Sequence, residues 1–543
     1  MALTHVAVTG SKRVPLAGSR LIGRTHPHAE IEVTLKLRRK QALPELNRRP
    51  AKLLSRDQLA QTYGASQDDV NKVQSVFEGL GLKTVHADPG TRTVRLAGTV
   101  DAMQNAFNVK LFDYAHADGN YRGRIGNVHV PQEVSDIVEA VVGLDNRRVA
   151  HRKRLPQAQK GAQARSVNKV PSTWFTPAEL AQHYNYPAGD GAGQTVALLE
   201  FGGGYFPSDL SRFCTLANIT TVPNVKTVST DGTATDARDG AEGEVMLDVE
   251  VVAGVCPKAN IVVYFADFTE QGWITILDAV MQDSTNNPGV VSCSWGYAED
   301  ADIWTEQTMN QVNQSLLEAA HLGVTVCVAA GDDGSSDAIT DGNAHTDFPS
   351  SSPYALAVGG TTVRSKTTGQ PDITWKEGDG LRADNGGSTG GGVSAVFARP
   401  SWQSNINIAS VNAGAITGRI VPDIAANADW NASPYLLVVD GKSQPNGGTS
   451  AATPLIAAFI TLVNANRGAG KRLGYVTPDL YQSSTGTAGA GTAGCVDVTD
   501  GNNDTAAAGG YNAGPGYDAV SGWGTPDGIK LMNALSGATA AAA

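Results

Sequence analysis

Cysteine is scarce: Cys214, Cys256, Cys293, Cys327 and Cys495 are the only five in 543 residues. None forms a CxxC pair, which argues against a paired-cysteine zinc or redox site, and an odd number cannot all pair internally. Cys293 and Cys327 lie in apolar, strand-like runs, where a small buried hydrophobe is a plainer reading than a nucleophile. No apolar run approaches the ~20 residues of a membrane span, so a soluble protein with no membrane partner is expected. The start of the chain has neither the basic flank nor the continuous apolar core of a conventional secretion signal. Histidine is nearly absent from the larger part of the chain, where only His183, His321 and His345 lie beyond residue 170.

Hydrophobic residues nevertheless make up 41% of the sequence. The length exceeds the ~250–300 residues at which one core stops growing, so at least two domains are expected. Charge divides the chain in the same sense. Residues 1–170 hold 27 lysines and arginines against 15 acids, leaving 15 basic and 38 acidic residues in the remainder. Two regions of opposite sign attract each other. The cations are scattered and no nucleic-acid module is recognisable, so no nucleic-acid partner is expected.

Patterning in the first region predicts a strand at 31–37, helices near 56–63 and 67–80, a strand pair at 82–86 and 93–96, a helix at 101–107 and a strand at 109–112. This β-α-β-β-α-β order suggests a small ferredoxin-like α+β domain over 1–146. Residues 147–170 are basic, rich in Gln and Ala, and lack apolar periodicity, as expected of an exposed, cleavable linker or an ordinary tether. In 171–543, apolar strands at 195–199, 260–265, 290–294, 324–329 and 355–358 alternate with helices near 242–255, 270–283 and 305–321. That alternation predicts a mostly parallel three-layer α/β domain with active residues at the carboxyl ends of its strands.

Gly447-Gly448-Thr449-Ser450-Ala451-Ala452-Thr453-Pro454 precedes an apolar helix and sets Ser450 among small residues that a peptide backbone can approach. A serine here is either a helix cap or a nucleophile, and a nucleophile needs a base. The three histidines sit outside glycine-rich motifs, so a Ser-His-Asp triad is disfavoured. Glu244 and Asp248, four apart in a helical pattern, share one face. Spacing alone also fits a solvated acidic face with Glu242 and Glu250. Asp332, in Gly331-Asp332-Asp333-Gly334, follows a buried strand and falls where a substrate crevice is expected, although it could equally cap a turn.

Together the Gly-Gly-Thr-Ser-x-x-x-Pro motif, the Gly-Glu-x-x-x-Asp helix and the Ala-Gly-Asp loop resemble the sedolisin family of serine-carboxyl peptidases, in particular its kumamolisin-like branch. The N-terminal region, through Leu96-Ala-Gly-Thr-Val-Asp-Ala-Met-Gln-Asn-Ala-Phe107, is similar to the family's propeptide. The resemblance implies a subtilisin-like fold, with Ser450 as nucleophile, Glu244 as general base, Asp248 as its supporting acid and Asp332 in the oxyanion hole. It implies that Glu200 and Trp295 extend the hydrogen-bond chain behind the acids, and that Asp347 belongs to a substrate pocket; an ordinary loop acid is the alternative for Asp347. It further implies one calcium ion, held by the Asp497 and Asp518 side chains and the carbonyls of Val498, Gly514 and Gly516; the bland alternative is a glycine turn. A carboxylate base is matched to acidic conditions. The expected product is therefore a self-processing precursor of an acid endopeptidase, a monomer acting on proteins or peptides and inhibited by its own prodomain; the resemblance implies an extracellular enzyme, against the absence of a conventional secretion signal, and location stays open between the two. A tripeptidyl exopeptidase with the same residues and a catalytically silent binding protein are the alternatives.

Overall fold

A computed structural model describes residues 4–537 apart from 118, 150–169, 300–302, 367–369, 385, 415, 469 and 483–488. In the N-terminal region, β1 (Glu30–Leu37), β2 (Lys83–Asp88), β3 (Thr93–Thr99) and β4 (Val138–Val142) form an antiparallel sheet in the order β2-β3-β1-β4. Helices α1 (Gln67–Gly79) and α2 (Val100–Phe107) pack on it through Phe77 and Phe107, whose rings stack 5.0 Å apart. Ser66 and Thr99 start these helices by accepting the backbone N–H groups of Asp69 and Ala102. This is the ferredoxin-like order expected from the sequence, with one correction. The strand expected at 109–112 is Leu111–Ala115, which pairs with Arg20–Arg24 and Tyr121–Arg124 in a separate sheet, and β4 closes the main one.

The second region is built on a parallel sheet containing β5 (Thr195–Glu200), β6 (Asn224–Ser229), β7 (Asn260–Phe265), β8 (Val290–Cys293), β9 (Thr325–Ala329), β10 (Leu356–Thr362) and β11 (Ile424–Asn427), in the order β6-β7-β5-β8-β9-β10-β11. A short antiparallel strand, Ile373–Thr374, also pairs with β10. One face is covered by α3 (Glu242–Val255) and α6 (Thr449–Arg467), the other by α4 (Glu270–Gln282) and α5 (Glu306–Leu322). Near-continuous Val, Leu and Ile runs in β5, β7 and β8 reflect this two-sided burial. Among the described residues no helix is long and apolar enough to cross a membrane.

The N-terminal sheet docks on α4 and α5. The Gln307 side chain pairs with the backbone of Val141 at 3.2 and 2.8 Å, and Gln271 donates to Thr34. The charge division resolves into ion pairs across this seam: Arg13 with Glu270, Lys36 with Asp278, Arg39 with Glu318 and Arg49 with Asp479. In each the cation comes from the N-terminal domain. Arg147, placed at the start of the exposed linker by its composition, is instead buried, doubly bonded to Asp145 and set over the Tyr121 ring. Nearly all of the basic linker lies outside the described residues.

Candidate active site

Ser450 lies in the first turn of α6 but does not cap it. Gly448 occupies the N-cap position at a φ of 85°, and no side chain caps the helix. The carboxyl ends of the strands bring the remaining groups toward Ser450, as expected for an open α/β sheet. Glu200 ends β5, Trp295 follows β8, and Asp332 follows β9.

Helix α3 packs directly on α6 and is buried from Gly243 to Val255, so Glu244 and Asp248 do not form a solvated acidic face. Only Glu242, at its first residue, is partly exposed. The Ser294 hydroxyl lies 3.0 and 2.9 Å from the two Asp248 carboxylate oxygens and 3.2 Å from the Ser450 carbonyl. The Ser450 hydroxyl in turn points to the Ser294 carbonyl at 3.5 Å. Ser294 thus ties the acidic helix to the serine-bearing turn. Behind these groups the Trp295 indole donates to Glu200 at 2.9 Å. Burial, followed by the nearby charge of Glu244, pushes Glu200 well above the usual carboxylate range.

On the other side of Ser450, the Thr449 N–H and hydroxyl donate to Asp332 Oδ1 at 2.8 and 2.6 Å. Asp332 Oδ2 lies against Gly448, where a Cβ would approach it to 2.7 Å, so the glycine before Thr449 makes room for the carboxyl group. Asp347 is buried in a short strand that pairs with Tyr297 and Ala298, rather than standing in a polar loop. A Cβ at Gly296 would fall 2.0 Å from its Oδ1, which requires glycine immediately after Trp295.

The three histidines are engaged elsewhere, His183 with Asp372, His321 with the Pro44 carbonyl and His345 with Asp341. Cys214, Cys256, Cys293 and Cys327 are buried free thiols.

The expected calcium residues share one C-terminal loop. Asp497 accepts from Gly516 N–H at 2.8 Å, and Asp518 accepts from Gly514 N–H at 3.0 Å. Burial pushes Asp518 up to about 6 despite N–H donation from Ser521, Gly514 and Val520. The two carboxylates on one loop, Asp518 of them buried, supply the hard oxygen atoms that a divalent cation prefers, while both accept backbone N–H groups here.

Sequence reasoning missed two groups. Ser294 falls inside the Ser292-Cys293-Ser294-Trp295-Gly296 segment but carried no separate signal. Arg382, whose backbone N–H and Nε donate to Asp333 at 2.8 and 2.7 Å and whose Nη1 lies 4.0 Å from Asp332 Oδ2, comes from an aperiodic glycine-rich loop that offered none.

Residues 17–147 match the Pro-kumamolisin activation domain, and residues 230–488 match the subtilase family. The chain is 42% identical to kumamolisin of Bacillus sp. (strain MN-32), over 89% of this chain and 86% of that protein. It is 29% identical to tripeptidyl-peptidase sed5 of Aspergillus fumigatus, over 97% and 96% of the two chains. The solved structure of Pseudomonas sedolisin, a serine-carboxyl proteinase complexed with pseudo-iodotyrostatin, superposes with a TM-score of 0.57 at 28% identity, over 68% of this chain and 99% of that one.

Proposed function

Because this chain belongs to the sedolisin family of serine-carboxyl peptidases and carries an activation domain ahead of its peptidase domain, we propose that it is a precursor of an acid endopeptidase that uses Ser450, Glu244, Asp248 and Asp332. The observation that carries this reading is the connection from Asp248 through Ser294 to the backbone of Ser450, with Asp332 fixed on the opposite side by Thr449.

In the proposed cycle Glu244 takes the Ser450 hydroxyl proton as the oxygen attacks the scissile carbonyl. Protonated Asp332 donates to the oxyanion as it forms. Glu244 then returns the proton to the leaving amine, and water repeats the sequence to hydrolyse the acyl-enzyme. Loss of one oxyanion donor costs on the order of 10²–10³ in rate. An ionised Asp332 would repel the oxyanion, which confines the reaction to acid. Glu200 and Trp295 hold Glu244 from behind, and Asp347 contributes to a substrate pocket next to the scissile residue. Calcium, when bound, supplies structural cross-linking of the C-terminal loop through the Asp497 and Asp518 side chains and the carbonyls of Val498, Gly514 and Gly516. The prodomain acts as an intramolecular inhibitor, removed by cleavage within the basic linker.

Similarity to a tripeptidyl-peptidase along almost the whole chain favours a second reading, removal of tripeptides from free N-termini. Incubation with one peptide in free and N-terminally acetylated forms separates the two. Internal cleavage of both forms is expected; release of tripeptides from the free form alone would establish the exopeptidase.

A further inference from the structure

Between β1, which ends at Leu37, and the helix Arg56–Tyr63, residues 38–55 form neither helix nor strand. The Lys40 N–H donates to the Gly64 carbonyl at 2.8 Å and pinches the base of this excursion, so it leaves the N-terminal sheet as a loop. Loops of such length are uncommon in compact domains and are usually functional. This one runs over the peptidase domain. His321 is bracketed by it: Nε2 lies 2.8 Å from the Pro44 carbonyl, and the His321 carbonyl accepts the Leu54 N–H at 2.9 Å. Arg39 pairs with Glu318, and Arg49 pairs with Asp479 while donating to the Leu535 carbonyl at 3.0 Å. Glu45 accepts the Tyr354 hydroxyl. Leu43 is buried, Leu46 and Leu54 pack against the same apolar core, and Leu53 lies over Gly323, where a Cβ would fall 2.5 Å from its Cδ1.

The footprint lies at the wrong end of the sheet for the reaction. Helix α5 ends at Leu322 just before β9 begins at Thr325, and Tyr354 stands just before β10 begins at Leu356. The loop therefore meets the amino ends of the strands, whereas Glu200 and Asp332 lie at the carboxyl ends. The five residues of β9 alone separate the two ends by about 16 Å. We propose that this end of the peptidase domain is an exosite for an extended polypeptide, and that residues 39–54 are the strap that fills it in the precursor and can rebind it once the linker is cut. The proposal rests on the reading of residues 147–170 as the cleaved linker. Both Arg–carboxylate pairs have largely buried side chains, which fixes direction and register as well as adding attraction. Pro44 and Pro50 restrict the free segment and so reduce what ordering it costs. Because strap and substrate bind at opposite ends of the sheet, holding the cleaved prodomain and blocking the cleft are separable functions.

The probe is a fluorescein-labelled peptide of residues 39–54, titrated by anisotropy onto the processed enzyme at pH 7, with mass spectrometry confirming that the peptide stays whole. Saturable binding is expected. It should persist in the presence of a saturating peptide aldehyde directed at Ser450, and a scrambled peptide of the same composition should not bind. Leu43→Ala or Arg49→Ala in the probe should each weaken binding about tenfold or more. Asp479→Asn in the enzyme should weaken the unaltered probe to a similar degree and leave kcat on a short peptide substrate at the wild-type value. If Asp479→Asn does not fold, the two probe substitutions still decide the matter. No binding, equal binding of the scrambled peptide, or displacement by the aldehyde overturns the exosite. A precursor that does not process itself overturns the linker reading instead, and the exosite is then read on the pieces produced by a site-specific protease whose recognition sequence is inserted in the linker.

Discussion

The hydroxyl of Ser294 lies 2.9 Å from Asp248 Oδ2, 3.0 Å from Asp248 Oδ1 and 3.2 Å from the Ser450 carbonyl, so one proton faces three acceptors. If Asp248 takes up a proton, it can donate to Ser294 and free the serine hydroxyl for the Ser450 backbone. Ser294→Ala removes this connection without touching the nucleophile. A hydrogen bond to a charged group contributes about 1.5–3 kcal/mol, so kcat is expected to fall by roughly ten- to a hundredfold with little change in KM. Steady-state kinetics at acidic pH check this; an unchanged kcat would show that Ser294 is a bystander.

A second prediction concerns the seam between the domains. Burial pushes the Asp278 carboxyl up while Lys36 beside it pulls it down, and burial also lowers Lys36. Acidification that protonates Asp278 leaves a buried lysine without its counter-charge. Breaking one side of a buried pair costs about 3–5 kcal/mol, so Asp278→Asn should accelerate processing of the full-length precursor near pH 6, where the wild type is slow. Gel time courses over a range of pH and salt provide the measurement. Identical rates for variant and wild type would remove this pair from the release mechanism.

Most of the fold was legible because two-sided burial writes itself into sequence as apolar runs such as Ile261–Val262–Val263, and because Ser450, Glu244 and Asp332 each sit in a motif. What periodicity could not decide was whether Glu244 and Asp248 meet solvent. The answer depends on α6 and the strand Tyr435–Val439 covering α3, which is a long-range fact. Arg382 was invisible for the same reason: its partners, Asp332 and Asp333, lie some fifty residues away and only the folded chain brings them together. Arg147 read as linker because its neighbours are basic, but one buried carboxylate, Asp145, outweighs composition.

Alkaline stability gives a third prediction. Burial, then the Asp429 carboxyl group, pushes Glu377 up to about 9, while the Trp375 indole donates to it at 3.3 Å. A carboxyl group with a raised folded-state value stabilises the fold fully below about pH 4.5 and loses that contribution as pH rises toward 9. In a Ser450→Ala background, which prevents self-digestion, the melting temperature should fall between pH 4 and pH 8. Glu377→Gln should narrow the gap. An equal or larger gap in the variant would contradict the assignment.

Calcium dependence is the fourth. Because Asp518 is pushed up to about 6, protons should compete with the cation below that pH. Thermal shift titrations with calcium chloride are expected to show binding at pH 7 that weakens up to tenfold for each pH unit below about 6, and Asp518→Ala should abolish the shift. A calcium-induced shift that persists in Asp518→Ala would place the ion elsewhere.

The most direct test of the central claim is a comparison of wild type with Ser450→Ala at about pH 4, where a glutamate base is poised. Mass spectrometry of the precursor and of a protein substrate reads both activities in one sample. The account predicts propeptide loss and substrate cleavage in the wild type and neither in a folded Ser450→Ala; acid proteolysis that survives in the variant would contradict it.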